Sequence, residues 1–206
     1  MKGKTKTGKT EKILVILGAV LLTAALLLLL YNRYESDRAG RDAEALLEDV
    51  LSVVEQNAAA GPELPVVEVD GYGCVGYLSV PNLELTLPVL TDWDYEKLRV
   101  APCLQFGSSR TDDLVIAAHN FKRHFGRLKE LETGDAILFT DMDGIENHYE
   151  VTEIQTLQPT AVDTVRSSGY ALVLYTCTPG GRTRVTVFCD RAAGDSMSLP
   201  QDSSGT

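Results

Sequence analysis

The sequence predicts a mostly β domain of seven or eight strands, preceded by an apolar anchor helix and a second helical segment. Three observations carry this. Between Gly71 and Arg191 the chain falls into short β-prone runs parted by turn residues, with brief helical candidates and no βαβ alternation. Ile13 to Leu30 is an uncharged run of 18 residues, mostly Leu, Ile, Val and Ala. From Ala43 to Val54 apolar residues recur at helical spacing. A barrel and a sandwich both fit the strand pattern.

Residues 1–12 hold five lysines and one glutamate, a basic tail of +4 on a chain of net charge −10. The apolar run that follows, assigned as a transmembrane anchor over 13–31, would span about 27 Å as a helix, enough to cross a bilayer. A cleaved signal peptide would carry a small-x-small site next. Tyr31-Asn-Arg-Tyr34 stands there instead, and suits an interfacial anchor. The lysine excess predicts a cytoplasmic N-terminus and a single-pass protein with the remainder outside. Residues 32–70 form an amphipathic helix and linker. Ala43, Leu46, Leu47, Val50, Leu51 and Val54 make the stripe, for a stalk or for packing on the main domain. Ala58 to Pro65, with Gly61, Pro62 and Pro65, breaks the helix.

The main domain is placed at 71–191. Its strands are expected at Val75–Val80, Leu83–Leu90, Leu114–Ala118, Ala136–Thr140, Tyr149–Leu157, Ala171–Cys177 and from Arg184 onward. Short helical pieces are expected near Asp94–Val100, Gly126–Leu131 and Ala161–Arg166. Residues 192–206 are small and polar, a flexible tail.

Beyond the basic tail the chain carries −14, which excludes the basic surface that nucleic acid requires. The four cysteines, Cys74, Cys103, Cys177 and Cys189, show no metal-ligand spacing, and there are three histidines, so neither a metal site nor another cofactor is expected. A domain with a sizeable core does not need a disulfide, and Cys74 and Cys103 are the one pair considered for one. Asp141-Met-Asp143-Gly-Ile-Glu146 reads as a hairpin turn rather than a calcium loop.

The chemistry is sought at strand mouths, where a rigid scaffold brings side chains to solvent. Cys177 ends one apolar strand and His119 another. A thiol and an imidazole are the minimum for thiol nucleophilic catalysis. Alone, the pair is weak, since a free cysteine is more often a small buried hydrophobe. Alternation in Arg184-Val-Thr-Val-Phe-Cys189 places Arg184, Thr186 and Phe188 on an accessible face. Val185, Val187 and Cys189 fall on the core face. Arg184 can therefore donate hydrogen bonds to an oxyanion or thiolate near Cys177. Arg182 competes from within the turn. His124 lies in a loop and ranks below His119; His148 opens a strand and receives no role.

These residues resemble the sortase family. Leu174-Tyr-Thr-Cys177 fits its Thr-x-Thr-Cys pattern at the last three positions, and an arginine opens the next strand. Ala118-His119-Asn120 is followed by Phe125-Gly-Arg-Leu128, as in that family. Gly76-Tyr-Leu-Ser-Val-Pro81 and Leu87-Pro-Val-Leu90 resemble its opening strands, so the likeness covers about residues 74–191. The resemblance implies a closed sortase-type β-barrel and transpeptidation. Cys177 would be the nucleophile, His119 the general acid/base and Arg184 the stabiliser of thiolate or oxyanion. The substrate would be the sorting signal of a surface or pilin protein, LPxTG-like or NPxTx-like. The acceptor would be an amino group of a peptidoglycan precursor or a pilin lysine. Features similar to class A, B and D enzymes are mixed. The alternatives are an extracellular cysteine hydrolase or peptidase and a non-catalytic wall-binding β-module.

Overall fold

The structure is a computed structural model that describes residues 7–56 and 61–193. Most of the basic tail, part of the 58–65 linker and nearly all of the C-terminal tail lie outside the described residues. The described residues fall into two compact units that divide between Arg38 and Ala39.

The first unit belongs to helix α1, Thr7–Val54, on which the anchor run and the amphipathic stripe both fall. Nothing between them interrupts a helix: there is no proline, and Gly40 is the single glycine after Gly18. The large apolar side chains from Ile13 to Leu30 are exposed. The helix is long and apolar enough to cross a membrane and is a candidate span.

Among the described residues, the second unit has nine strands: β1 Val67–Val69, β2 Tyr72–Val80, β3 Leu85–Leu90, β4 Cys103–Phe106, β5 Leu114–Ala118, β6 Ala136–Asp141, β7 Glu146–Leu157, β8 Leu172–Cys177 and β9 Arg184–Arg191. Eight of them close a barrel in the order β2-β3-β4-β5-β8-β9-β7-β6, sealed by β6 pairing back to β2; β1 is an extra edge strand on β2. Closure removes the open edges that a sheet of this size would expose. Three short helical pieces stand close to their expected places: α2 Lys97–Val100, a 3₁₀ segment Phe125–Glu130 and α3 Val162–Arg166. The β6–β7 hairpin turns at Asp141, whose Oδ1 accepts from the amides of Asp143 and Ile145.

The barrel interior is filled by alternate residues of each strand, among them Leu78, Val89, Ile116, Phe139, Leu174 and Val187. Cys189 faces this interior, fully buried, as alternation along β9 predicts. A second apolar cluster lies outside β2, β3 and β4, where Leu46 and Val50 of α1 meet Leu90, Leu98 and Ala117. The amphipathic stripe of α1 thus packs on the barrel. A third cluster, Val115, Val173 and Phe188 with Phe106, Leu157, Val165 and Tyr170, covers the outer face of β5, β8 and β9.

The structure bears on two further points of the sequence reading. Cys74 and Cys103 are free and do not pair. Both are registered against Leu90, one from each side of β3. They therefore stand two strand spacings apart, about 9–10 Å, beyond the reach of a disulfide. The outer face of β9 is not open throughout either: Thr186 and Phe188 are buried beneath the β7–β8 connection.

Candidate active site

The parallel ladder of β5 and β8 pairs Leu114 with Leu172 and ends with Ala118 opposite Thr176. The next residue on each strand is His119 and Cys177. Alternation carries Ala117 and His119 of one strand, and Tyr175 and Cys177 of the other, to the outer face. All four line one groove. The strand ends are stitched together by Thr176 Oγ1, which donates to the Ala118 carbonyl oxygen at 2.8 Å. That bond is buried, so it fixes the level at which both side chains leave the sheet.

Cys177 is also the antiparallel partner of Arg184. The Thr178–Thr183 turn between them is closed by the Thr178 amide donating to the Thr183 carbonyl at 2.9 Å and by Gly181 donating to Thr178 at 2.8 Å. Gly180 and Gly181 take φ of 83° and 71°, the left-handed region that the Pro-Gly-Gly sequence permits. The Arg184 Nη1 donates to the carbonyl oxygens of Gly181 and Thr183, at 3.0 and 3.1 Å, which ties the guanidinium to the turn. Arg182 is exposed at the turn and does not line the groove.

The groove has a volume of about 260 Å³. Ala117, Tyr175 and Thr186 form its floor, with Phe106 beside them. Leu157, Pro159, Val162 and Val165 make one wall, and Trp93 and Tyr95 stand on the opposite rim, their rings edge to face at 5.0 Å. Apolar walls around a few polar groups are the usual make-up of a ligand-binding cleft. Tyr175 is half-buried, and burial pushes its hydroxyl up to about 12, with Arg184 opposing. It stays a neutral donor beside Cys177.

His124 is fully buried and outside the groove, and His148 sits half-exposed on β7 beside Glu146. The other three thiols are buried, and burial pushes Cys74 up to about 11, Cys103 up to about 12 and Cys189 upward as well. The sequence reading did not single out Trp93, Tyr95 or Tyr175. Tyr175 could have been found, being two residues before Cys177 on one strand and so on its face. Trp93 and Tyr95 are brought to the rim only by the fold.

The family signature of the Sortase domain matches residues 78–192. Sortase C1 of Streptococcus agalactiae is 25% identical, over 62% of this chain and 72% of that one, with a TM-score of 0.52. Sortase C of Streptococcus pneumoniae, whose structure bears on pilin substrate specificity, is 21% identical over 77% of this chain and 89% of that one, at a TM-score of 0.53. Sortase C-1 of Actinomyces oris is 21% identical over 72% and 98%, at 0.51. The latter two likenesses concern the fold. No curated protein matches.

Proposed function

This chain belongs to the sortase family of cysteine transpeptidases, and we propose that Cys177, His119 and Arg184 are its catalytic residues. The Cys177 thiolate attacks the carbonyl carbon of the Thr–Gly-type bond of a sorting signal. Arg184 stabilises the oxyanion that forms. His119 protonates the leaving amine, which departs with the C-terminal part of the signal, and a thioester remains on Cys177. An incoming amine gives up a proton to His119, attacks the thioester and releases the thiolate. The surface protein is left joined through a new amide bond. The acceptor is an amino group of a peptidoglycan precursor or a pilin lysine. The likeness to sortase C enzymes supports including the pilin lysine.

The register carries this reading: His119 follows Ala118, Cys177 follows Thr176, and Arg184 is paired with Cys177, all on one groove. We place the basic tail 1–12 in the cytoplasm, the anchor at 13–31 in the cell membrane, the helix and linker at 32–70, the catalytic domain 71–191 outside, and a tail at 192–206. The lysine excess before the apolar run supports that orientation.

The test uses the full chain in detergent micelles with LPxTG-like and NPxTx-like peptides. One of them is expected to leave a hydroxylamine-sensitive adduct on Cys177, seen by mass spectrometry, and to be transferred to an added amine. Cleavage without any Cys177 adduct would overturn the assignment. Hydrolysis with no transfer to peptidoglycan or lysine amines would make the protein a peptidase.

A further inference from the structure

His124 is the one histidine that the proposed mechanism does not use and that the fold buries completely. It ends the loop that starts at His119. That loop is wound tightly: the Phe125 amide donates to the His119 carbonyl at 3.2 Å, and the amides of His124 and Gly126 donate to Phe121 at 3.0 and 2.9 Å. Phe121 stands between the two imidazoles, 5.0 Å from the ring of His119 and 5.6 Å from that of His124.

The other side of His124 faces α1. Its Nε2 lies 3.4 Å from the carbonyl oxygen of Ala39, on the part of the helix that belongs to the barrel unit. Its Nδ1 has no partner among the described residues. Next to it, Arg123 lies across Gly40, where any Cβ would overlap the guanidinium stem, and pairs with Glu44 one turn on. Ala43, on the same helical stripe, is fully buried in the main core. The loop is thus fastened to the helix at three successive points. The charged or titratable groups facing His124 are His119 and Arg123, with Glu44 offsetting the latter. Burial lowers the His124 pKa to about 4, so at neutral pH the ring is an uncharged donor toward Ala39.

We propose that His124 is a positioning residue. By tying the loop to α1 at Ala39 and backing Phe121, it holds the imidazole of His119 at the groove beside Cys177. The inference rests on the roles proposed above for His119 and Cys177. Without the tie, Phe121 and His119 are free to shift together, and a displacement of about 1 Å is enough to cost on the order of 10²-fold in rate.

The test is the rate of Cys177 alkylation by iodoacetamide across pH 5–9 in the full chain in detergent. It compares wild type, His119→Ala, His124→Leu, His124→Gln and Phe121→Leu, with folding checked by circular dichroism. His124→Leu removes the donor, and its pH–rate curve is expected to move toward that of His119→Ala. Gln keeps a donor near the Nε2 position and is expected to restore the wild-type curve, which a merely structural loss of packing would not do. Should His124→Leu fail to fold, Phe121→Leu decides, with the same displaced curve expected. Wild-type curves for His124→Leu and Phe121→Leu, alongside a slowed His119→Ala, would overturn this inference alone. So would equal damage from Leu and Gln. If His119→Ala reacts like wild type, the site assignment itself fails, and this inference with it.

Discussion

Cys177 and Arg184 are cross-strand partners, the last pair of the β8–β9 ladder before the turn. Directly opposed residues project from the same face, with Cβ atoms about 5 Å apart. The turn therefore brings Arg184 into register beside Cys177, with its guanidinium bonded to the carbonyl oxygens of Gly181 and Thr183. Replacing Arg184 with Ala should lower kcat on a sorting-signal peptide by roughly 10²–10³, the usual cost of one oxyanion donor. Arg182→Ala, at an exposed position off the groove, should cost far less. Steady-state kinetics of the two variants decide, and the opposite ranking would transfer the role to Arg182.

The four thiols should separate cleanly in a labelling experiment. The thiolate is the reacting species. Cys74, Cys103 and Cys189 are buried and held protonated at neutral pH, whereas Cys177 lines the groove. Iodoacetamide at pH 8 should modify Cys177 alone in the folded protein, and all four cysteines in urea without reductant. Peptide mass spectrometry checks both halves. Modification of Cys74 or Cys103 at the pace of Cys177 in the folded state would contradict the packing described for β2, β3 and β4.

Legibility in the sequence followed the size of each element's own signal. Strands β5 and β8 are continuous apolar runs and were readable nearly to the residue. Strands β1 and β4, of three and four residues, were not. Both are too short to carry a periodic signal of their own and are defined by pairing with adjacent strands, β1 with β2, and β4 with β5 and, at a single registered pair, β3. The alternation of β9 sorted Cys189 from Arg184 correctly. It could not show that Thr186 and Phe188, on the same face as Arg184, would be covered by the chain between β7 and β8. His124 looked like a polar loop residue because its partner, the Ala39 carbonyl, lies 85 positions away. Local pattern reports which face a side chain takes, and the fold decides what covers it.

Gly126 should be indispensable to the His119 loop. A Cβ at that position would sit 2.5 Å from the Asn120 carbonyl oxygen and 2.7 Å from that of Phe121. Both are backbone atoms, so the loop itself must move to make room. Gly126→Ala should therefore lower kcat by on the order of 10²-fold through displacement of His119. The thermal midpoint should fall as well, since Phe125 and Leu128 of the same segment belong to the main core, but the nine strands are untouched and the protein should still fold. Kinetics alongside a melting curve check this; a variant that keeps full activity would mean the loop does not set the position of His119.

His124 also predicts how stability depends on pH. Its folded pKa, about 4, lies below the ordinary value of 6.5 because the charged form would be buried. Between these limits the unfolded chain takes up a proton that the folded chain refuses. Stability is therefore full above about pH 6.5 and declines as the pH falls toward 4. That difference corresponds to about 3 kcal/mol across the window. Asp141 acts in the opposite sense: burial raises its pKa, so its contribution is present at low pH and is lost as the pH rises through the folded value. Subtracting the curve for His124→Gln, which leaves Asp141 in place, isolates the histidine. Urea unfolding followed by the fluorescence of Trp93, the single tryptophan, should show wild type losing stability from pH 6.5 to 4 more steeply than His124→Gln. Parallel curves would mean that the imidazole protonates as readily in the folded chain as in the unfolded one, and that its contact with α1 excludes no charge.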